Sequence, residues 1–132
     1  MELRFNEDSM KKVIEKYYME YEDFDGKVIT ECNTGYVGYG MSEREDALVS
    51  IKIVGKLDVM GEKISMTRDV SSNDVLDIFK TVLGKSGYTV SDVSLDKGLK
   101  QTCEGYGMGE RMVSKPYFNG IVVKTSEKQL VK

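Results

Sequence analysis

The chain of 132 residues contains no histidine and no tryptophan, and it has one proline and two cysteines. The lack of histidine excludes Ser-His-Asp and Cys-His catalysis and every histidine metal ligand. The cysteines, Cys32 and Cys103, lie far apart and are too few to complete a structural zinc site by themselves. We expect them to be free thiols in a cytoplasmic protein. The sequence therefore predicts no metal site and no cofactor.

Long apolar runs are also missing. No stretch approaches the ~18 consecutive apolar residues that a transmembrane helix needs, and the N-terminal residues 1–8 lack the apolar centre of a signal peptide. We therefore expect a cytoplasmic protein with no membrane contact. The formal net charge of −3 repels a phosphate backbone, so we expect no direct binding of nucleic acid.

The residues that are present have the composition of a folded domain. Apolar residues make up 40% of the chain and charged residues 31%, which is typical of globular proteins. A chain of this length buries roughly two-thirds of its unfolded surface without help from disulfides. No linker or low-complexity tract divides the chain, so residues 1–132 are interpreted as one domain.

Two segments have apolar residues at helical spacing. The first helix follows a capping signal at Asp8-Ser9, and the second begins at Ser71 or Ser72 and ends before Gly87. Alternation of apolar and polar residues predicts strands at 2–6, 27–32, 47–59, 64–69 and 88–95.

The C-terminal part of the chain carries a strong hairpin signal. Asn119-Gly120 lies between two short apolar segments, and this dipeptide suits the positive φ angles of a type I′ turn. We therefore predict a tight hairpin there, preceded by a long loop over residues 96–115. Pro116 favours an edge strand over a central one.

A seven-residue sequence occurs twice. Residues 38–44 read Gly-Tyr-Gly-Met-Ser-Glu-Arg, residues 105–111 read Gly-Tyr-Gly-Met-Gly-Glu-Arg, and six of the seven positions are identical. Each copy follows a predicted helix and strand and precedes another strand. The chain is therefore interpreted as two strand–helix–strand–strand units, about 1–62 and about 63–126, with a frayed tail at 127–132.

The repeat predicts an α+β fold. We expect one antiparallel sheet of six or seven strands with two helices on one face, and the two units related by a pseudo-twofold axis. Such an axis would bring the two repeated loops together. The face without helices must be wet or must meet a second copy, and we expect a homodimer.

The repeated loops are the main candidate for a binding site. Their glycines expose backbone N–H groups, arginine offers a planar fork to carboxylate or phosphate, and tyrosine offers a flat apolar face. This chemistry suits a protein partner or a small anionic ligand. The predicted contact residues are Tyr39, Met41, Glu43, Arg44, Tyr106, Met108, Glu110 and Arg111. A purely structural role, with glycine in a backbone bend and methionine filling the core, explains the same residues equally well.

Two alternatives use other residues. The acidic residues Glu20, Glu22, Asp23 and Asp25 follow one another at the end of the first helix. Acid there opposes the helix dipole, so the patch suggests an inhibitor that covers a nucleic-acid-binding protein, although a solvated helix end explains it too. The other alternative is a small enzyme with Glu43 and Glu110 as acid–base groups. An arginine follows each glutamate and favours its charged form, which argues against a general acid.

The main prediction is a non-enzymatic binding protein. In size, acidity and lack of catalytic groups, the chain resembles in general style the small single-domain proteins of bacteriophages and mobile elements that bind and block host machinery. That resemblance implies an inhibitor of host machinery that acts through the two loops.

Overall fold

The computed structural model describes residues 1–105 and 111–127, and in this part of the chain it shows an α+β protein with two helices and six antiparallel strands. The elements in chain order are β1 (Glu2–Asn6), α1 (Glu7–Tyr21), β2 (Asp25–Val37), β3 (Arg44–Val59), β4 (Glu62–Asp69), α2 (Ser72–Lys85), β5 (Tyr88–Glu104) and β6 (Arg111–Glu127).

The strands form two three-stranded sheets. The first sheet has the order β1-β6-β5 and the second has the order β2-β3-β4. The α+β class and the antiparallel pairing are confirmed, but the prediction of one continuous sheet is wrong. One reason is that α1 occupies the outer edge of β2. The carboxylate of Glu15 accepts the N–H of Val28 at 2.9 Å, and Glu7 accepts the hydroxyl of Thr30, so α1 takes the place of a further strand beside this part of β2.

Local capping sets where each helix begins. The side chain of Asn6 accepts the N–H of Ser9 at 2.8 Å, so α1 begins before the predicted cap. In α2 the predicted cap is confirmed. Ser71 Oγ accepts the N–H of Asp74 at 3.2 Å, while the Asp74 carboxylate accepts the N–H of Ser71 at 3.0 Å. Such a reciprocal pair satisfies two backbone donors that the first turn leaves free.

Both sheets share one hydrophobic core. Each helix buries one stripe of side chains against the sheets, and the rings of Phe5 and Phe79 meet edge to face with centroids 5.0 Å apart. The core comprises Met10, Ile14 and Tyr18 from α1, Val75, Ile78 and Phe79 from α2, Val28, Ile51 and Ile53 from the second sheet, Val90, Ile121 and Val123 from the first sheet, together with Phe24 and Val70. Burial of each large apolar side chain stabilises the fold by about 1.5–3 kcal/mol.

The predicted turn at Asn119-Gly120 is wrong, because both residues lie inside β6. Gly120 pairs with Asn6 on one side and with Asp96 on the other. Its φ is +123°, and a Cβ at this position would overlap the carbonyl oxygen of Phe5. Glycine is thus required for close approach of strands rather than for a turn.

The predicted loop at residues 96–115 is also wrong. β5 continues to Glu104 and β6 begins at Arg111, so most of the segment forms one long two-stranded ribbon. Pro116 lies opposite Leu99 of β5, whereas β1 pairs with residues 120–124. The proline thus lies where β6 has left β1, and a missing N–H costs little there.

The two halves of the chain contain the same order of elements. β1, α1, β2 and β3 form the first half, and β4, α2, β5 and β6 form the second. In each sheet the opening strand of one half pairs with the closing strand of the other, β1 with β6 and β4 with β3. The pseudo-twofold relation between the halves itself stays a prediction.

Candidate functional site

The first copy of the repeated sequence forms the tip of the β2–β3 hairpin. Val37 and Arg44 are the last paired residues, and a short 3-10 turn over Gly40–Ser42 lies between them. Gly38 has a φ of +96°, and a Cβ there would approach the carbonyl oxygen of Ser42 to 2.6 Å. The loop conformation therefore requires glycine at this position.

Backbone groups and one serine hold this loop in shape. The N–H of Ser42 donates to the carbonyl oxygen of Tyr39 at 3.0 Å, and the Ser42 hydroxyl donates to the same oxygen at 2.7 Å. The N–H of Glu43 donates to the carbonyl of Gly40 at 3.2 Å. These bonds leave the side chains of Tyr39 and Met41 uninvolved in fixing the loop.

The large side chains of the tip project into solvent. Tyr39 is 92% exposed, Met41 is fully exposed, and Glu43 and Arg44 are exposed as well. Tyr36, just below the tip, is also exposed, and its hydroxyl donates to Glu45 at 3.3 Å. Tyrosine, methionine and arginine are enriched at protein interfaces, and several large exposed side chains together mark an interaction surface.

A lysine from the other sheet contacts this hairpin close to its tip. Lys97 of β5 donates to the carbonyl oxygen of Ala47 and lies 3.4 Å from the carboxylate of Asp46. The N–H of Ala47 and then the Lys97 ammonium hold the pKa of Asp46 below its usual range. Burial raises the pKa of the nearby Cys32 thiol, and Lys97 opposes that shift. The hairpin is thus tied to β5 just below the tip.

The second copy of the repeated sequence begins after Glu104, the last residue of β5, and ends at Arg111, the first residue of β6. Glu104 pairs with Arg111, the first residue of β6, and Gly105 has a φ of +101°. Tyr106, Met108 and Glu110 lie outside the described residues. The meeting of the two loops, and the use of Glu43 with Glu110 as acid–base groups, therefore stay predictions.

Cations of the same chain partly neutralise the acidic patch. Glu20 lies 2.9 Å from Lys85, and Glu22 lies 3.6 Å from Arg68. Hydrogen bonds to Tyr21 and then to Glu20 raise the pKa of the Lys85 ammonium. Two of the four carboxylates proposed for a basic partner thus already face positive charges.

The other two acids border a cleft of mixed charge. Asp23 and Asp25 line a cleft of about 560 Å³ near the outer end of the second sheet. Its further charged residues are Lys27, Lys56, Asp58 and Lys63. Lysines and aspartates alternate around this cleft, so it presents no single sign of charge to a partner.

Two clefts of the described part of the chain lie away from the first repeated loop. One of about 420 Å³ lies between β3 and the start of α2 and is lined by Ser50, Lys52 and Ser71 among others, and the cleft of 560 Å³ borders Asp25. Tyr39 and Met41 instead stand at the end of the hairpin. Small ligands are bound in concave sites that bury most of their surface. The tip therefore suits a protein surface better than a small anionic ligand.

Two residues near the tip, Tyr36 and Lys97, were not predicted from the sequence. The predicted strand ends at Cys32, whereas β2 continues to Val37 and includes Tyr36. The contact of Lys97 with Asp46 joins residues 51 positions apart. Alternation of side chains through Tyr36 was a usable signal for the longer strand, but one sequence contains no signal for the pairing of Lys97.

Metal ligands, membrane-spanning helices and thiols are three further features of the described residues. Within residues 1–105 and 111–127, no group of three or more histidine, cysteine, aspartate and glutamate side chains is placed to hold a metal ion. Neither of the two described helices is long and apolar enough to cross a lipid bilayer. Cys32 and Cys103 are free thiols, and Cys32 is half-buried whereas Cys103 is exposed.

Comparison of the chain with models of protein families, with curated proteins and with solved structures finds no match.

Proposed function

We propose that the protein is a non-enzymatic binding protein and that the tip of the β2–β3 hairpin contacts a protein partner. The observation that carries this proposal is the exposure of Tyr39 and Met41 on a loop whose shape is fixed by other groups. A loop that is already ordered loses little conformational freedom on binding. Arg44 at the base of the loop adds a planar donor for a carboxylate of the partner.

We further propose that the β5–β6 hairpin presents a second, equivalent surface. In both hairpins an arginine, Arg44 or Arg111, opens the returning strand after a connection of the same length. The first glycine of each connection, Gly38 and Gly105, has nearly the same positive φ. On this basis Tyr106 and Met108 are the counterparts of Tyr39 and Met41. Two equivalent tips would let one molecule contact a partner at two places.

Blocking a partner by covering its surface is the simplest activity for such a protein. Exposed tyrosine, methionine and arginine supply contact area and hydrogen bonds, and they need no cofactor or enclosed cavity. This is the inhibitor role expected from the size and acidity of the chain. A small anionic ligand remains the weaker form of the proposal, because Tyr39 and Met41 line neither the cleft of about 420 Å³ nor the cleft of about 560 Å³.

Affinity capture with matched baits tests the proposal. The wild-type chain, a Tyr39→Ala/Met41→Ala variant and a Met19→Ala variant are immobilised and exposed to extract of the source cells. Met19 is an exposed methionine of α1, so its variant controls for loss of an apolar side chain elsewhere. We expect the wild type and Met19→Ala to retain one common protein that the tip variant loses. We also expect all three baits to melt within a few degrees of one another.

Two results would contradict the proposal. If all three baits retain the same proteins with equal yield, the tip is not the binding surface. If the tip variant melts far below the wild type, Tyr39 and Met41 stabilise the fold, which contradicts a loop whose shape is fixed by other groups.

A further inference from the structure

β4 is one of the four edge strands in the described part of the chain. The edge of β2 is bonded to Glu15 and Glu7 of α1. β5 packs against α2 and has two breaks in its register with β6, both before Lys97, and β1 is only five residues long. β4 by contrast has eight residues in unbroken register with β3, its main neighbour. Long, regular and uncovered edges are templates for pairing with another chain.

The turn before β4 fixes which backbone groups point outward. Met60 and Gly61 have φ angles of +53° and +87°, which is the type I′ turn of a two-residue hairpin, so Glu62 is bonded to β3. At the other end of the strand, the N–H of Val70 donates to the carbonyl oxygen of Ile51 at 2.9 Å. The even-numbered residues from Glu62 to Val70 are therefore the ones whose backbone groups are bonded to β3. Lys63, Ser65 and Thr67 therefore direct their N–H and C=O groups away from β3.

This ribbon also leaves an apolar face uncovered. Leu57 and Val59 of β3 follow the buried Ile53 on the same face, and they are 38% and 42% exposed. Ile64, opposite Leu57 on β4, is 51% exposed. The apolar face thus continues from the core onto a part of the sheet where solvent reaches it. Such surface is a site for association.

The sequence of β4 is complementary to itself in one antiparallel register. With Ser65 opposite Ser65 of a second copy, Ile64 faces Met66 and Glu62 faces Arg68, and symmetry makes each pair occur twice. The outward groups of Lys63 then meet those of Thr67. If the register is moved so that Met66 lies on the axis, Ile64 faces Arg68. If it is moved by an odd number of residues, the backbone groups that point outward face groups that are already bonded to β3.

We propose that β4 pairs with β4 of a second copy of this chain, in the antiparallel register with Ser65 on the twofold axis. The two second sheets then form one six-stranded sheet, and Ile64 of each copy packs beside Met66 of the other. Each Arg68, which also lies 3.6 Å from Glu22 of its own chain, faces Glu62 of the other copy, and these two pairs close the ends of the interface and oppose other registers. This interface does not involve the hairpin tip of the proposed function, so either can be correct without the other.

Removal of one outward donor tests the pairing. The Ser65→Pro variant loses an N–H that β3 does not use, while Ser65→Ala keeps it. By sedimentation velocity of the full chain, we expect a dimer for the wild type and Ser65→Ala, and at least about tenfold weaker association for Ser65→Pro. A wild type that stays monomeric at about 0.5 mM would overturn the proposal, as would a folded Ser65→Pro variant that dimerises normally.

A charge swap gives an answer that does not depend on the fold of the proline variant. Glu62→Arg sets like charges opposite each other at both ends of the interface and should weaken the dimer by about tenfold or more. The double variant Glu62→Arg/Arg68→Glu restores opposite charges between the copies and should recover most of that affinity. Equal dimerisation by all three proteins would overturn the assigned pairs.

Disulfide cross-linking tests the register in which the two β4 strands pair. In a Cys103→Ser background, which removes the exposed native thiol, Ser65→Cys should form a disulfide-linked dimer under mild oxidation, because directly opposite residues lie within reach of a disulfide. Met66→Cys should form far less. The reverse pattern would overturn the register, and cross-linking of the Cys103→Ser background alone to the same extent would overturn the interface.

Discussion

At the scale of single residues, glycine serves different purposes at different positions. Gly120 lies between two neighbouring strands at a positive φ, where a side chain would overlap the backbone of β1. Gly84 lies inside α2, and a Cβ there meets no atom within 4 Å. The sequence shows both as glycine and cannot distinguish them. The Asn119-Gly120 dipeptide predicts a turn because glycine tolerates a positive φ, and Gly120 has that φ inside a strand instead.

The same substitution should therefore act in opposite directions at these two positions. We expect Gly120→Ala to lower the free energy of unfolding by about 2–4 kcal/mol, because backbone strain and overlap both oppose it. Gly84→Ala should raise the free energy of unfolding by about 0.5–1 kcal/mol, because alanine favours the helix. Urea unfolding followed by circular dichroism measures both. A neutral Gly120→Ala would contradict the packing of β1 against β6.

Glu7 should give the stability of the chain a dependence on pH. The hydroxyl of Thr30 and the ammonium of Lys11, 3.3 Å away, hold the pKa of Glu7 below its ordinary value of 4.5. A lowered pKa in the folded state contributes stability that is present above the unfolded value and is lost as pH falls through the folded value.

The Glu7→Gln variant tests this contribution. It should be less stable than the wild type at neutral pH, and the difference should shrink as the pH falls below the ordinary value of 4.5. Thermal unfolding at a series of pH values checks the prediction. A difference that stays constant across this range would contradict the role of the charged carboxylate.

At the scale of elements, the helices could be predicted from the sequence and the strand ends could not. Ser71 and Asp74 form a capping box that is readable in the sequence, and the structure confirms it. The outer part of β5 carries polar and glycine residues such as Lys97 and Gly98, so alternation failed there. Its order comes from pairing with β6 along the whole ribbon, which is a long-range contact.

The cap of α2 predicts a local stability effect with an adjacent control. Ser71→Ala removes the oxygen that accepts the N–H of Asp74 and should lower the free energy of unfolding by about 1 kcal/mol. Ser72→Ala changes the next serine, which is exposed and begins the helix proper, and should have a much smaller effect. Urea unfolding distinguishes the two. Equal losses would show that the cap is not at Ser71.

The candidate site was predictable where a local sequence pattern marks it and not where it depends on long-range contacts. Repetition of the Gly-Tyr-Gly-Met sequence pointed to the loops, and the described hairpin shows why its glycines are needed and that Tyr39 and Met41 are exposed. The lysine that anchors the hairpin, Lys97, comes from the other sheet. Contacts between sheets depend on how whole elements pack, and one sequence does not encode them in any local pattern.

At the scale of the whole molecule, the two halves of the chain are linked by exchanged strands. β1 completes the sheet that contains β5 and β6, and β4 completes the sheet that contains β2 and β3. One hydrophobic core joins both sheets and both helices. Neither half contains all the strands of a sheet, so we do not expect either half to fold by itself.

This topology predicts a single cooperative unfolding transition. Far-UV circular dichroism and tyrosine fluorescence should give coincident midpoints in urea, because loss of either sheet exposes the shared core. Tyrosines occur in both halves, at Tyr18 and Tyr88 for example, so fluorescence reports on both. Two separate transitions would show that the halves are independent units.

The central claim is that the tip of the β2–β3 hairpin touches a protein partner, and site-specific photo-cross-linking tests this most directly. A benzophenone amino acid is placed at position 39, and at position 80 on the exposed face of α2 as the control, before incubation with extract of the source cells. We predict one discrete cross-linked protein at position 39 that excess wild-type chain competes away, and none of it at position 80. The same products at both positions, or products that wild-type chain does not compete away, would contradict the claim.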